Sequence, residues 1–230
     1  MPGIDVILAS ASPARLSTLR AAGVEPTVVV SGVDEDATLA AAMERFGDLD
    51  AADSVLVLAQ AKAEDVARQV EAGTPSPTTT STSSIDSANV IVVGCDSMLE
   101  FQGQMLGKPA TAEIATERWK AMRGNSGTLH TGHWIIDLRE DGTGGTLGAT
   151  SSCTVYFADI DDDEIAAYVA TGEPLHVAGA FTVDGLGGPY IEKIDGDYHG
   201  VVGLSLPLFR ELLAQIDVPF SALREPGNIA

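Results

Sequence analysis

The order of apolar runs and helical periodicities along this chain predicts an α/β fold, with a mixed, twisted sheet and flanking helices. Three observations carry that prediction. An apolar run at 4–9 (IDVILA) leads straight into a capped helix. Residues 53–71 hold a long helical period. A second apolar run at 89–94 (NVIVVG) is followed by hairpin signals rather than by another helix.

In the first unit Ser12 suits an N-cap and Pro13 a first helical position, so a helix should run from 13 to about 22 and stop at Gly23. Residues 26–31 read as a second strand, and the acidic stretch 33–50 as partly helical. In 53–71, Val55, Leu58, Ala59, Ala63, Val66 and Val70 share one face, and Gly73 and Pro75 end the helix. The segment 74–89 is rich in Ser, Thr and Pro, which predicts an exposed insertion loop. After the strand at 89–94 come a hairpin around 98–106 and a helix over 111–123 with Ile114, Trp119 and Met122 inward. Strands at 133–138 and 149–157 flank a Gly-rich turn. Asp161 and Glu164 form a capping box for a helix that ends at Gly172. Strands near 176–183 and 189–194 and a last helix at about 206–216 complete the series.

The length of 230 residues suits a single domain over 1–230 with a sizeable core. No apolar run is long enough for a membrane span, and the N-terminus lacks the basic and apolar regions of a signal peptide. Cys95 and Cys153 have no CxxC spacing, which fits small buried hydrophobes in a reducing cytoplasm. A net charge of −20 disfavours nucleic-acid polymers and anionic membranes as partners. With only 13 Lys and Arg residues, any site for an anion must concentrate its cations or recruit a metal.

Several residue types in these elements can carry chemistry. Ser10, Ser12 and Arg15 lie where a strand runs into a helix N-terminus, whose free N–H groups and dipole favour an anion. The plain alternative is an N-cap beside a surface Arg. Lys62 falls on the apolar face of its helix, so it either snorkels to water or points into a cleft. Asp96, in GCDS (94–97), follows four apolar residues at the carboxyl end of a strand, where ligands of open α/β sheets bind; it could hold Mg²⁺ or polarise a water, or only begin a turn. Lys108 sits in the Gly/Pro-bounded loop LGKP. Glu35 could be a further metal ligand or base, or part of a solvated acidic run with Asp34 and Asp36. His130 and His133 have HxxH spacing, but a strand would turn them to opposite faces, and no third zinc ligand is evident. The loop Gly185-Leu186-Gly187-Gly188 is only loosely like a phosphate-binding GxGxxG, and no GxxxxGK[ST] occurs.

Taken together, LASASPAR (8–15), VDE (33–35), LAQAKAEDVA (58–67), GCDS, LGKP (106–109), GEPLHVAGAFTVDGLGG (172–188) and IDGDYHGVVGLSL (194–206) resemble the Maf family in order and spacing over nearly the whole chain. The resemblance implies a two-lobed fold around a central nucleotide cleft, usually a dimer, a divalent cation, and hydrolysis of a nucleoside triphosphate between its α and β phosphates. It puts the proton-acceptor carboxylate on Asp96 and other functional positions on Ser10, Arg15, Glu35, Lys62 and Lys108. Ser12 and Ser97 join these as substrate-binding candidates. Asp96 and Glu35 are the expected ligands of Mg²⁺ or Mn²⁺, the division of base and ligand roles between them staying open.

Three positions depart from the family pattern. Ala14 replaces the first Arg of SPRR, Val177 replaces a Lys before AGA, and Asp184 stands where a base-contacting Gln is usual. The pyrimidine preference of one subgroup is therefore not carried over; Asp184 would favour a base that carries donors or positive charge, such as a methylated purine. The expected activity is a cytoplasmic nucleoside triphosphate pyrophosphatase acting as a homodimer. The alternative is a non-catalytic nucleotide-binding regulator of septum formation or cell division.

Overall fold

The computed structural model describes residues 4–78 and 88–224. Seven strands form one mixed sheet: β1 (Asp5–Leu8), β2 (Thr27–Val28), β3 (Val90–Phe101), β4 (Gln104–Leu106), β5 (Ser126–Asp137), β6 (Thr146–Phe157) and β7 (Ile191–Asp195). Their order is β2-β1-β3-β5-β6-β7, with β4 also paired to β3. β1 is parallel to both β2 and β3, whereas β4 is antiparallel to β3 and β7 to β6. The helices are α1 (Pro13–Ala21), α2 (Glu35–Phe46), α3 (Ala51–Glu71), α4 (Ala112–Met122), α5 (Asp162–Ala170), α6 (Tyr198–Val202) and α7 (Leu206–Ala214). The chain divides into two compact units whose boundary falls within β3, β5 and β6. Among the described residues no helix is long and apolar enough to cross a membrane.

The first unit comprises the residues up to Asp96, Gly132–Thr150, and those from Leu206 onward. Its β1, flanked on both sides by parallel strands, is buried from Val6 to Leu8, as an all-apolar strand must be. Ile7, Val90 and Val92 pack with Ala63, Val66 and Val70 of α3. Every apolar residue that the period placed on one face of α3 is buried, and Lys62 is buried among them. α3 lies unusually close to the sheet. A side-chain carbon on Gly94 would overlap the Ala59 carbonyl oxygen and crowd Ala63, and one on Gly132 would overlap the Val55 carbonyl. The turn after β5 is organised by Asp137, whose side chain is fully buried. It accepts bonds from Arg139 Nε at 2.7 Å and Nη2 at 2.8 Å, and from the Thr143 amide at 2.9 Å. Burial alone would raise the Asp137 carboxyl, but the bonds from Arg139 and Thr143 outweigh it and hold the group below its ordinary range.

The second unit comprises Ser97–Thr131 and Ser151–Ser205. Trp119 of α4 centres its core, edge-on to Phe157, Tyr168 and Tyr190. Its indole N–H donates to the Ala180 carbonyl at 2.7 Å, so the buried ring leaves no unpaired donor.

Most elements fall where the sequence places them, and the differences have local causes. Residues 176–183 are not a strand: two 3-10 turns, Glu173–His176 and Ala178–Ala180, occupy the region. Gly179 and Ala180 have φ of +70° and +65°, which no strand accommodates. The expected strand at 26–31 shortens to two residues. The acidic stretch 33–50 is helical over 35–46, and a break at Gly47 separates α2 from α3. β5 and β6 extend well beyond the apolar runs that announced them. On α4, Ile114 is 40% exposed and Ala115 takes the inward place. Asp161 caps α5 by accepting from the amides of Asp163 and Glu164. Of the insertion loop expected at 74–89, residues 79–87 lie outside the described residues. Before them the chain turns back on β2, with Pro77 bridging Val29 and the Thr78 amide donating to the Val28 carbonyl at 2.9 Å.

Two measurements check this account. Gly94→Ala forces α3 off the sheet, so chemical unfolding should show a loss of about 1–3 kcal/mol. Asp137→Asn should cost on the order of 2 kcal/mol at neutral pH. Because the folded-state pKa of Asp137 is depressed, its contribution is present above the unfolded pKa and lost as pH falls through the folded one. The difference between wild type and Asp137→Asn should therefore shrink as the pH drops below the ordinary carboxylate range.

Candidate active site

The first helix of the first unit begins as its sequence requires. Ser12 is the N-cap and accepts from the Arg15 amide at 3.4 Å, and Pro13 opens the helix. Arg15 is not a surface residue: it is 8% exposed, and its Nη1 donates to Ser10 Oγ at 2.9 Å and to the Cys95 carbonyl at 2.8 Å. The guanidinium thus ties the β1–α1 turn to β3 one residue before Asp96; β3 runs on to Phe101, so Asp96 lies within the strand and not at the carboxyl end that the apolar run suggested. Ser10 is itself buried and also accepts from the Ser12 amide. Cys95 is inert, since burial pushes its thiol up to about 11.

Lys62 resolves the choice between snorkelling and pointing into a site. Its Nζ contacts Asp96 Oδ1 and Glu35 Oε1, each at 2.6 Å. The Lys62 and Asp96 side chains are 11% and 12% exposed, while that of Glu35 is 48% exposed. The cause lies in the packing: with Gly94 bare, α3 approaches β3 until Ala59 and Ala63 touch it, and Lys62, between them, arrives beside Asp96. Glu35 comes from the other side as the first residue of α2, behind the Asp34 cap. A buried ammonium is costly without partners, and two carboxylates supply them.

The remaining candidates belong to the second unit. Ser97 Oγ lies 2.9 Å from Thr131 Oγ1, and the Thr131 hydroxyl donates to the Gly200 carbonyl. The single Thr131 proton is thereby used, so Ser97 is the donor of that pair. Lys108 is exposed in the loop between β4 and α4. The preceding Gly107 carbonyl is held by Arg118, a residue the sequence reading passed over, and burial pulls the Arg118 guanidinium down. Asp184 is exposed as well.

The Gly-rich loop after Asp184 binds an anion, but that anion is the protein's own. Glu173 accepts from the Leu186 and Gly187 amides at 3.0 and 3.1 Å, from Thr182 Oγ1 at 2.6 Å and from the Tyr168 hydroxyl at 2.9 Å. Burial would raise the Glu173 carboxyl, yet these bonds outweigh it and hold the group below its usual range. A side chain on Gly185 would strike Glu173, and one on Gly187 the Tyr168 hydroxyl. The glycines therefore serve close approach to these two groups. Glu173 was visible only as the acid of GEP, with no spacing to mark it as the anchor of residues 182–187. The HxxH histidines gather no metal ligands: His130 bonds Ser152 Oγ at 2.8 Å and Glu100 Oε2 at 3.3 Å.

Among the described residues no cluster of three or more His, Cys, Asp or Glu side chains forms a ready metal cage. Asp96 and Glu35 fit a different arrangement. Magnesium-type ions keep several waters and take one or two protein carboxylates together with substrate phosphate oxygens. Two carboxylates already converging on one cation supply that oxygen-only set, Lys62 contacting Asp96 Oδ1 and Glu35 Oε1.

Known proteins with the same sequence pattern are numerous. The sequence model of the family described as Maf-like protein matches residues 5–216. A protein of Salinispora tropica named nucleoside triphosphate pyrophosphatase is 50% identical over 225 residues, which cover 98% of this chain and 89% of that one. One of the same name from Streptomyces coelicolor is 50% identical over 227 residues, covering 99% and 98%. Another, from Leifsonia xyli, is 49% identical over 223 residues, covering 97% and 98%. A match that runs unbroken through the segments bearing Ser10, Arg15, Glu35, Lys62 and Asp96 leaves one conclusion: the chain belongs to the Maf family.

Proposed function

We propose that this chain is a nucleoside triphosphate pyrophosphatase, which releases a nucleoside monophosphate and pyrophosphate. The observation that carries the reading is the contact of one buried ammonium, Lys62, with two carboxylates, Asp96 of β3 and Glu35 of α2. The relatives that share the full length of the chain bear the name of that activity. The reading includes a homodimer as the working form, the cytoplasm as its place, and residues 1–230 as one functional domain.

In this mechanism the phosphates approach the N-terminus of α1, where backbone N–H groups and the Ser10 hydroxyl act as donors. Arg15 keeps that turn locked to β3 and adds its positive charge. The Lys62 ammonium offsets one of the two carboxylate charges in the free protein, and in the complex it offsets charge developing on the phosphates. By the family pattern Lys108 would supply a second ammonium, and Ser12 and Ser97 are proposed as further substrate-binding groups. Asp96 orients the attacking water and accepts its proton as the oxygen attacks phosphorus and pyrophosphate departs. A divalent Mg²⁺ or Mn²⁺ held by Asp96 and Glu35 would polarise the phosphoryl oxygens and neutralise the leaving group. The acid of the Asp184 loop replaces the usual Gln and favours a base that presents donors or positive charge.

Pyrophosphate release from a panel of nucleoside triphosphates with Mg²⁺ or Mn²⁺ tests the reading. Asp96→Asn should lower the rate by on the order of 10²-fold or more. Nucleotide binding with no release by wild type would favour the regulatory alternative instead. Comparing dTTP, UTP and 7-methyl-GTP for wild type and Asp184→Asn tests the specificity. The variant should lose preference for the methylated base; unchanged ratios would remove Asp184 from base selection.

A further inference from the structure

Glu35 poses a positioning problem that its own helix does not solve. It is nearly half exposed, and the strand before it ends at Val28, with the Val29 amide still bonded to the Leu8 carbonyl at 3.1 Å and Val29 bridged to Pro77. The cap of α2 does not tie it down either: Asp34 accepts from the Ala37 amide at 3.0 Å, which starts the helix without fixing where it starts relative to α3.

The fixing contact comes from α3. Asp65 Oδ2 accepts the Gly32 amide at 2.9 Å and Gln69 Nε2 at 3.0 Å. Its Oδ1 receives Arg68 at 3.2 Å, from a largely exposed guanidinium. Asp65 lies three residues beyond Lys62, so the two share a face of α3. One helix therefore grips the segment from Gly32 to Glu35 at both ends, Asp65 on the Gly32 amide and Lys62 on the Glu35 carboxylate. The bond from Gly32 is the largest of the influences that hold the Asp65 carboxyl below its ordinary range, which marks it as a charge-assisted contact.

We propose that Asp65 is a positioning residue for the reaction: it fixes the Gly32–Glu35 segment so that the Glu35 carboxylate is presented beside Asp96. The inference rests on the reading that Glu35 serves catalysis. Nothing about Asp65 requires contact with substrate, and its effect passes entirely through Glu35.

That dependence gives the test. Asp65→Ala removes the acceptor, whereas Asp65→Asn keeps one oxygen for the Gly32 amide and loses the charge and the acceptor that faces Arg68. With pyrophosphate release as the readout, Asp65→Ala should lower kcat/KM by about tenfold, and Asp65→Asn should recover most of it. In a cycle with Glu35→Ala, the double variant should be no slower than Glu35→Ala alone, since nothing is left to position. Additive losses, or an Asp65→Asn as slow as Asp65→Ala, would overturn the proposal while leaving the role of Glu35 intact. A Glu35→Ala variant with wild-type kcat/KM would instead remove the reading beneath it, and the proposal with it. Thermal unfolding of each variant shows that the protein assayed is folded; a loss of rate in Asp65→Ala that tracks unfolding also counts against the proposal.

Discussion

The approach of α3 to β3 at Gly94 is the constraint on which the site depends. A helix at ordinary packing distance would leave Lys62 short of Asp96. With no side chain at Gly94, the backbone of Ala59 and the small Ala63 side chain meet β3 directly. The ammonium of Lys62 then lies in contact with Asp96. An ammonium taken from water loses several kcal/mol of hydration, so the pair is tolerable only with good geometry and more than one partner. Glu35 supplies the second partner. The same two carboxylates are thus required by the free protein to keep Lys62 buried and by the proposed chemistry to handle water and metal.

Arg15 plays the corresponding part on the other side of β3. Its bonds to Ser10 and to the Cys95 carbonyl use one nitrogen of the guanidinium, and they join the β1–α1 turn to the strand that carries Asp96. A planar fork of fixed donors does this better than a lysine could, because it holds two acceptors at once in a defined direction. Rigid placement matters here, since phosphoryl transfer gains mostly from positioning and fixed charge. In the second unit Glu173 solves a similar problem for residues 182–187. It satisfies backbone amides that would otherwise face an acidic protein with no ligand of their own.

How much of this was legible in the sequence varied with the range of the interaction. Local rules placed α1 and its Ser12 cap, because capping and Pro13 act within four residues. Helical periodicity placed α3 and every buried residue of its inner face. The segment 176–183 misled, since Val177, Phe181, Thr182 and Val183 are strand-like residues while the course between them is set by a remote contact, the Trp119 indole on the Ala180 carbonyl. Ile114 misled because one step around a helix decides exposure, and Ala115 was small enough to fit beneath. Within the site, motif order pointed to Lys62, Asp96 and Glu35, but not to their mutual contact. Glu173, Arg118 and Asp65 went unread for one reason: each acts on a backbone group distant in sequence, and no side-chain pattern encodes that.

The charge of the whole molecule sharpens the case for this location. A chain of net charge −20 should repel a triphosphate over most of its surface. Among the described residues, Lys62 and Arg15 are the buried members of the Lys and Arg set, and both lie in the first unit, in contact with Asp96 and Cys95 of β3. Burying cations in an acidic protein is not needed for solubility and is unfavourable for stability unless they are paired. Lys62 is matched by carboxylates, and Arg15 Nη1 donates to a hydroxyl and to a carbonyl. A buried positive charge lowers the cost of an anion nearby, and the N-terminus of α1 adds to the same field. In the proposed mechanism the acidic exterior would exclude anions elsewhere, while the cations beside Asp96 would admit a polyphosphate.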